Sequence, residues 1–420
     1  MKALRIYCGP KAMQHIAQNG LQPRDIGVVP GAAGGPKGLI LGPLDRFIFG
    51  EWLAQTKHDV HLVGASIGAW RMATACLRDP VAGFKQLAHD YIGQDYAVKP
   101  GEKFPSADTV SEDFGHSLAG FYAGKVADVL GHPRYKLHIV TSRGRHILSR
   151  EHKLATPLGY AGAFLTNAIH RKAMGSWLER VVFSSQNAAL PFDARDYPTR
   201  QIDLSEANFN LALQASCSIP FVMRSVRDIP GAPRGAYWDG GITDYHLHLN
   251  YRLNCASDLI AVSAINTGAT ALNDNNFEHY SLPRESSCRA IPVMHNPALH
   301  QDRYGLQVKP AMPVNQATTQ LVLYPHFQKA VVPGWLDKGL TWRHKATPFL
   351  SNMVLLAPNP DWVKTLPNAK LPDRTDFKRY GIDLQARVKA WSRAASSSQQ
   401  LADELHAWLH RPDLSRVEAL

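Results

Sequence analysis

A chain of 420 residues that is 45% hydrophobic and 19% charged has ample apolar material for a large core, which excludes a disordered or fibrous chain. Its net charge of +11 favours anionic partners. No basic run of nucleic-acid type and no C2H2 or RNP-like motif accompanies that charge, so no nucleic-acid partner is expected.

No run of about 18 uncharged apolar residues predicts a membrane span. The start, Met1 to Cys8 with Arg5 inside it and the Gly9-Pro10 break behind it, does not read as a secretion signal. The expected location is the cytoplasm, with peripheral contact at an anionic membrane left open. Five scattered cysteines, Cys8, Cys76, Cys217, Cys255 and Cys288, form no C-x-x-C pair. They predict buried thiols rather than disulfides or a zinc site, and no metal or other cofactor is expected.

In chain order, Ile26–Val29 predicts a strand, followed by a glycine-rich turn and a helix over Gly38–Trp52. Val60–Val63 predicts a second strand, Gly64 opens a turn, and Ile67–Leu77 predicts a helix stopped by Asp79-Pro80. Lys99–Gly115 is rich in Gly, Pro, Ser and Asp and reads as a surface loop. Leu137–Val140, Arg180–Phe183 and Asp258–Val262 are further strands. Short apolar strands separated by helices predict an α/β fold, a three-layer α/β/α sandwich with a mainly parallel central sheet. Beyond about residue 265 the alternation fades into a stretch, 266–375, rich in Asn, Pro and His. Two helical stripes follow, Leu384, Val388, Trp391 and Ala395, then Leu401, Leu405 and Trp408. The expected division is a catalytic core at 20–265 and a partly helical C-terminal extension at 266–420.

Gly64-Ala65-Ser66-Ile67-Gly68 matches G-x-S-x-G between a predicted strand and a predicted helix, the context that motif requires. A sharp strand-to-helix turn would expose the Ser66 hydroxyl, and the helix N-terminus would favour developing negative charge. The alternative is a tight turn without chemistry.

Gly31-Ala32-Ala33-Gly34-Gly35-Pro36-Lys37-Gly38 fails as a phosphate-cradling loop. Pro36 stands where the second glycine is needed, and Gly38 where the hydroxyl is needed. It also fails the G-x-G-x-x-G pattern. What remains is a glycine turn, or an oxyanion hole in which Gly34 and Gly35 offer backbone N–H groups. Pro36 has no N–H to contribute. A nucleophilic serine needs a base, and Tyr237-Trp238-Asp239-Gly240-Gly241 offers a carboxylate. His246, His248, His295 and His300 leave a Ser-Asp-His triad open as well.

Taken together, Gly34-Gly35-Pro36-Lys37-Gly38, Gly64-Ala65-Ser66-Ile67-Gly68 and Asp239-Gly240-Gly241 resemble, in order, the G-G-x-[RK]-G, G-x-S-x-G and D-G-[GA] motifs of the patatin-like phospholipase family. Ala215-Ser216-Cys217-Ser218-Ile219-Pro220-Phe221 is similar to the segment that precedes the aspartate in that family. The resemblance covers roughly residues 20–265 and makes that stretch a patatin-like catalytic core. It implies a Ser-Asp dyad without histidine, Ser66 attacking an ester carbonyl and Asp239 taking its proton. The oxyanion would be held by the N–H groups of Gly34, Gly35 and Ile67. Lys37, Gly38, Gly64, Gly68, Gly240 and Gly241 complete the motifs, with Lys37 either structural or facing an anionic head group. Ala33 replaces a glycine common in the family, and Pro36 narrows the donor set.

The implied function is a lipid acyl hydrolase of phospholipase A type, acting on a lipid or other acyl-ester substrate. The alternatives are an α/β-hydrolase with a histidine triad, or an inactive lipid-binding protein. Residues 331–345 interleave Trp335, Leu336, Leu340 and Trp342 with Lys338, Arg343 and Lys345. They read either as an anionic-membrane contact or as core.

Overall fold

The computed structural model describes residues 2–96, 98, 105–251 and 320–420. Among the described residues eleven strands run in chain order: β1 (Leu4–Cys8), β2 (Ile26–Gly31), β3 (Val60–Ala65), β4 (Tyr135–Gly144), β5 (Leu178–Ser184), β6 (Thr199–Asp203), β7 (Val226–Arg227), β8 (Ala236–Asp239), β9 (Leu321–Pro325), β10 (Met353–Pro358) and β11 (Val417–Ala419). They form one sheet in the order β11-β1-β10-β9-β2-β3-β4-β5-β6, with β8 beside the end of β4 and β7 on β8. Pairing is parallel from β10 through β9, β2 and β3 to β4. It turns antiparallel at β1–β10, β4–β5 and β4–β8. Helices flank the sheet, so the architecture is the expected α/β sandwich with a mainly parallel sheet.

The central strands are buried along their whole length, as β2, β9 and β10 show, because parallel strands covered on both faces meet no water. The strands expected at 26–29, 60–63, 137–140 and 180–183 lie within β2, β3, β4 and β5. Asp258–Val262 and the boundary at residue 265 lie outside the described residues.

Residues 266–420, expected as an extension, supply β9, β10 and β11 to the same sheet as the core. Leu321–Pro325 and Met353–Pro358 are short apolar runs ending in proline, hidden in composition by their polar surroundings. The two C-terminal stripes form helices Leu384–Ser397 and Gln399–His410, with Trp391, Leu401, Leu405 and Trp408 buried.

Two expectations need correcting. Lys99–Gly115 is not all loop, because a helix spans Ala107–Phe121. Its N-terminus is capped by the Ser106 hydroxyl, which accepts from the Thr109 N–H at 3.1 Å. The Ser and Asp content there is a capping signal, not a loop signal. The helix expected at Gly38–Trp52 is instead a chain of turns: 3-10 at Gly35–Leu41, α at Gly42–Phe47 and π at Ile48–Trp52.

Candidate active site

Sheet register brings the motifs together. Gly31 of β2 pairs with Gly64 of β3, so the glycine-rich loop and the Ser66 turn leave neighbouring parallel strands at the same level. Ala65 pairs with Val140 of β4, and the next β4 residue, Thr141, pairs with Asp239 of β8. Ser66 and Asp239 therefore flank the same point of β4. This is the carboxyl end of the parallel strands, where open α/β sheets place their sites.

Ser66 has φ 56° and ψ −131°, a strained conformation for a residue with a side chain, at the N-cap of the helix Ile67–Ala75. Two glycines make the approach possible. A Cβ on Gly68 would lie 1.8 Å from the Gly31 carbonyl oxygen, and one on Gly240 would lie 2.0 Å from that of Val140. The Ser66 helix is thus in backbone contact with β2, and the Asp239 turn with β4.

The Ser66 hydroxyl donates to Asp239 Oδ2 at 2.7 Å. The other carboxylate oxygen, Oδ1, accepts from the Gly241 N–H at 2.7 Å. Both residues are buried. Burial pushes the Asp239 carboxyl above its usual range. The Ser66 and Gly241 hydrogen bonds and the charges of Arg374 and Lys338 pull the other way.

The segment 215–221 ties the two turns together. The Ser66 N–H donates to Ser216 Oγ at 2.9 Å, and that hydroxyl donates to the Val140 carbonyl at 2.7 Å. The Asp239 N–H donates to the Ser218 carbonyl at 2.8 Å, and the Gly240 N–H to that of Ser216 at 3.1 Å.

Gly35 and Ile67 each open a helical turn, so neither N–H has an acceptor within its own helix. Gly34 precedes that turn, against the Phe327 ring, whose Cε1 a Cβ at Gly34 would meet at 2.6 Å. Gly35 has φ 56°, which favours glycine. Gly38 packs on Ile67, and Gly64 packs on Ala69.

Lys37 is half-buried, its ammonium 5.3 Å from the centre of the Phe327 ring. Burial lowers its pKa, with Asp373 opposing and Lys370 and Arg374 adding to the fall. Sequence reasoning missed two neighbours. Arg374 Nε lies 3.6 Å from where a Cβ on Gly35 would stand. Lys338, exposed on one side, sits 4.1 Å from the Tyr245 ring centre; partial desolvation there, then Arg374 and Lys37, push its pKa down to about 8 against the pull of Asp239. The nearby carboxylates Asp373 and Asp376 are engaged by Lys370 at 2.7 and 2.8 Å. Lys338 and Arg374 therefore add positive charge beside the Asp239 carboxylate. Both are far from the motifs in sequence; Lys338 falls in the aromatic and basic run 331–345, but no local pattern places it or Arg374 beside Asp239.

A buried ion pair also escaped the sequence. Arg71, on the helix behind Ser66, meets Asp45 through two hydrogen bonds of 2.7 Å. It fastens the Ser66 helix to the segment that follows the glycine-rich loop.

The histidines are engaged elsewhere. His246 Nδ1 accepts from the Val332 N–H at 3.0 Å, and burial holds its pKa well below the usual value. His248 contacts the Val331 carbonyl and Thr347 Oγ1, both at 2.8 Å, and burial lowers its pKa to about 4. His295 and His300 lie outside the described residues. Among the described residues no group of three or more His, Cys, Asp or Glu could hold a metal ion. Of the segment 331–345, Trp335 is half-buried beside the cluster of Tyr160, Trp238 and Ile242, Leu340 is buried, and Trp342 is exposed.

No protein-family model matches the chain, and no curated protein is significantly similar to it.

Proposed function

We propose that this chain is a serine acyl-ester hydrolase of the patatin-like type, acting on a lipid or related acyl ester through Ser66 and Asp239. The observation that carries this reading is the 2.7 Å hydrogen bond from the Ser66 hydroxyl to a buried carboxylate, on a strained strand-to-helix turn.

Ser66 Oγ attacks the ester carbonyl carbon while its proton passes to Asp239 Oδ2. The raised proton affinity of Asp239 suits it to that task. The N–H groups of Gly34, Gly35 and Ile67 receive the oxyanion. The alcohol leaves with the proton from Asp239, and water, deprotonated by the same carboxylate, releases the acid and restores Ser66. Lys37, Lys338 and Arg374 favour a substrate with an anionic group. Among the described residues Cys8, Cys76 and Cys217 are buried free thiols, which suits a reducing compartment such as the cytoplasm. No helix among the described residues is long and apolar enough to cross a membrane.

A serine-directed fluorophosphonate probe tests the reading. The wild-type chain should be labelled, and Ser66→Ala should lose all labelling while keeping its circular dichroism. Labelling that persists in Ser66→Ala removes the assignment.

A further inference from the structure

The helix Ala155–Ile169 is turned inside out. It carries no charged residue. Its polar Thr156 and Asn167 are buried, while Leu158, Phe164, Leu165 and Ile169, with Leu154 at its start, are exposed. At 100° per residue, positions 154, 158, 165 and 169 fall within about 60° of one another, a single outward stripe. Those four side chains are between 62% and 85% exposed. The arrangement is held from inside. The Asn167 amide donates to the buried Asp337 at 2.8 Å, and Arg343 donates to Asp337 at 2.9 Å and to the Ala168 carbonyl at 3.2 Å.

The stripe is not isolated. Tyr160, on the inner face, touches the ring of exposed Phe221 at 5.8 Å and that of Trp238 at 6.0 Å. Trp238 precedes Asp239, and Phe221 follows Ser218, whose carbonyl holds the Asp239 N–H. Exposed Trp342 stands on the turn that Arg343 ties to the helix end. An apolar surface of this kind, continuous with the walls of a site, marks an interaction face.

Its rim is basic. Residues 143–172 contain six Lys or Arg and one acid, Glu151, but Arg143 is paired with Glu179 and Arg171 with Asp244 and Asp337, so the rim's charge comes from the exposed cations. Arg150 and Lys153 lie exposed at one end of the helix and Lys172 at the other. Glu151 is held by Arg224 at 3.0 Å.

We infer that the outer face of helix Ala155–Ile169, with Phe221 and Trp342, is a docking surface for an anionic lipid bilayer, which seats the proposed hydrolase on its substrate. An amphipathic helix with basic flanks lies in the plane of such an interface, its apolar side chains at the acyl boundary and its cations at the head groups. The charge of the rim selects a lipid surface over a second copy of this chain, whose matching face would carry the same positive sign. The purpose of docking rests on the hydrolase reading, but the surface itself does not.

Vesicle sedimentation with the full chain tests it, using phosphatidylcholine alone and phosphatidylcholine mixed with phosphatidylserine. Binding should appear with phosphatidylserine and fall with salt, because head-group attraction contributes roughly fivefold per basic side chain and is screened over about 8–10 Å. Leu158→Ser with Leu165→Ser should lower binding at least tenfold, as should Lys153→Glu with Lys172→Glu. Both variants should keep the wild-type melting temperature and fluorophosphonate labelling. Three results overturn the inference: no binding by the wild type, equal binding to both vesicles, or unchanged binding by the serine variant. A wild-type dimer that the serine variant dissociates assigns the face to a second copy and also overturns it. So does a clear fall in melting temperature, which means the stripe packs within the chain. Absence of probe labelling in the wild type removes the hydrolase reading and leaves the vesicle result standing.

Discussion

Two nearly uncharged helices meet opposite surroundings in this molecule. Ile67–Ala75, behind Ser66, has every residue buried, including its one charge, Arg71. Ala155–Ile169 is more apolar in its outer residues, yet it buries Thr156, Gly159, Tyr160, Ala163 and Asn167 and leaves its leucines outside. Composition alone would send both to the core. The first helix is sealed because β2, β3 and β4 lie beneath it and the segment after the glycine-rich loop closes over it, pinned by Asp45. The second is held by polar bonds to Asp337 and Arg343, and its apolar side is left exposed among the described residues. In the proposed hydrolase, one helix would serve the chemistry through rigidity, and the other would offer a surface.

The largest effect that would break this contrast lies at the rigid end. Asp239→Asn keeps the size and removes the basicity, so kcat on a small soluble ester should fall by about 10²–10⁴. A histidine replacement at 246 or 248 with an equal loss would restore the triad reading. The same variant should gain stability. Burial raises the native pKa of Asp239, so its neutral form costs the fold nothing below the usual carboxylate range, and stability is lost as pH rises through the native value. The melting temperature of Asp239→Asn should therefore exceed that of the wild type at neutral pH, and the gain should vanish in acid. By the same sign, the acid limb of the activity profile should lie above the ordinary carboxylate pKa.

Next in size is the ion pair. Asp45→Ala leaves Arg71 buried without its partner and should destabilise the chain by about 3–5 kcal/mol in urea unfolding. Activity should fall with it, because the pair holds the Ser66 helix against Gly42–Phe47, the segment that follows the turn with Gly34 and Gly35. A loss below about 1 kcal/mol would show that the nucleophile helix does not depend on this clamp.

The smallest effects sharpen the other side. On helix Ala155–Ile169 the usual ranking should invert. Asn167→Ala, which takes a hydrogen bond from buried Asp337, should cost about 1–3 kcal/mol. Leu165→Ser should stay within about 0.5 kcal/mol, as surface replacements do. Chemical unfolding of both variants measures the inversion directly.

Much of the site was legible in short motifs, because a tight strand–turn–helix must use glycine wherever backbones touch. Gly68 against Gly31 and Gly240 against Val140 are such places, and they mark the chain with readable spacing. The α/β alternation of the first 200 residues was legible for a similar reason, since short buried strands must be continuously apolar. Lys338 and Arg374 were not, because a charge can reach a site from any element, and no local rule records which one does. Nor were the places of β9 beside β2 and of β10 beside β9, since strand order in a parallel sheet is a matter of long crossovers rather than of neighbours.

By itself, the sequence determined the class of fold, the turns that hold Ser66 and Asp239, and the helical stripes at the C-terminus, all of which depend on local spacing and steric need. The tertiary structure alone decided that Ser66 meets Asp239 at 2.7 Å, that Lys338 and Arg374 from two distant segments act on that carboxylate, and that the apolar side of helix Ala155–Ile169 faces outward. Those outcomes depend on which surfaces meet once the sheet is assembled, and periodicity along the chain carries no record of the partner on the other side.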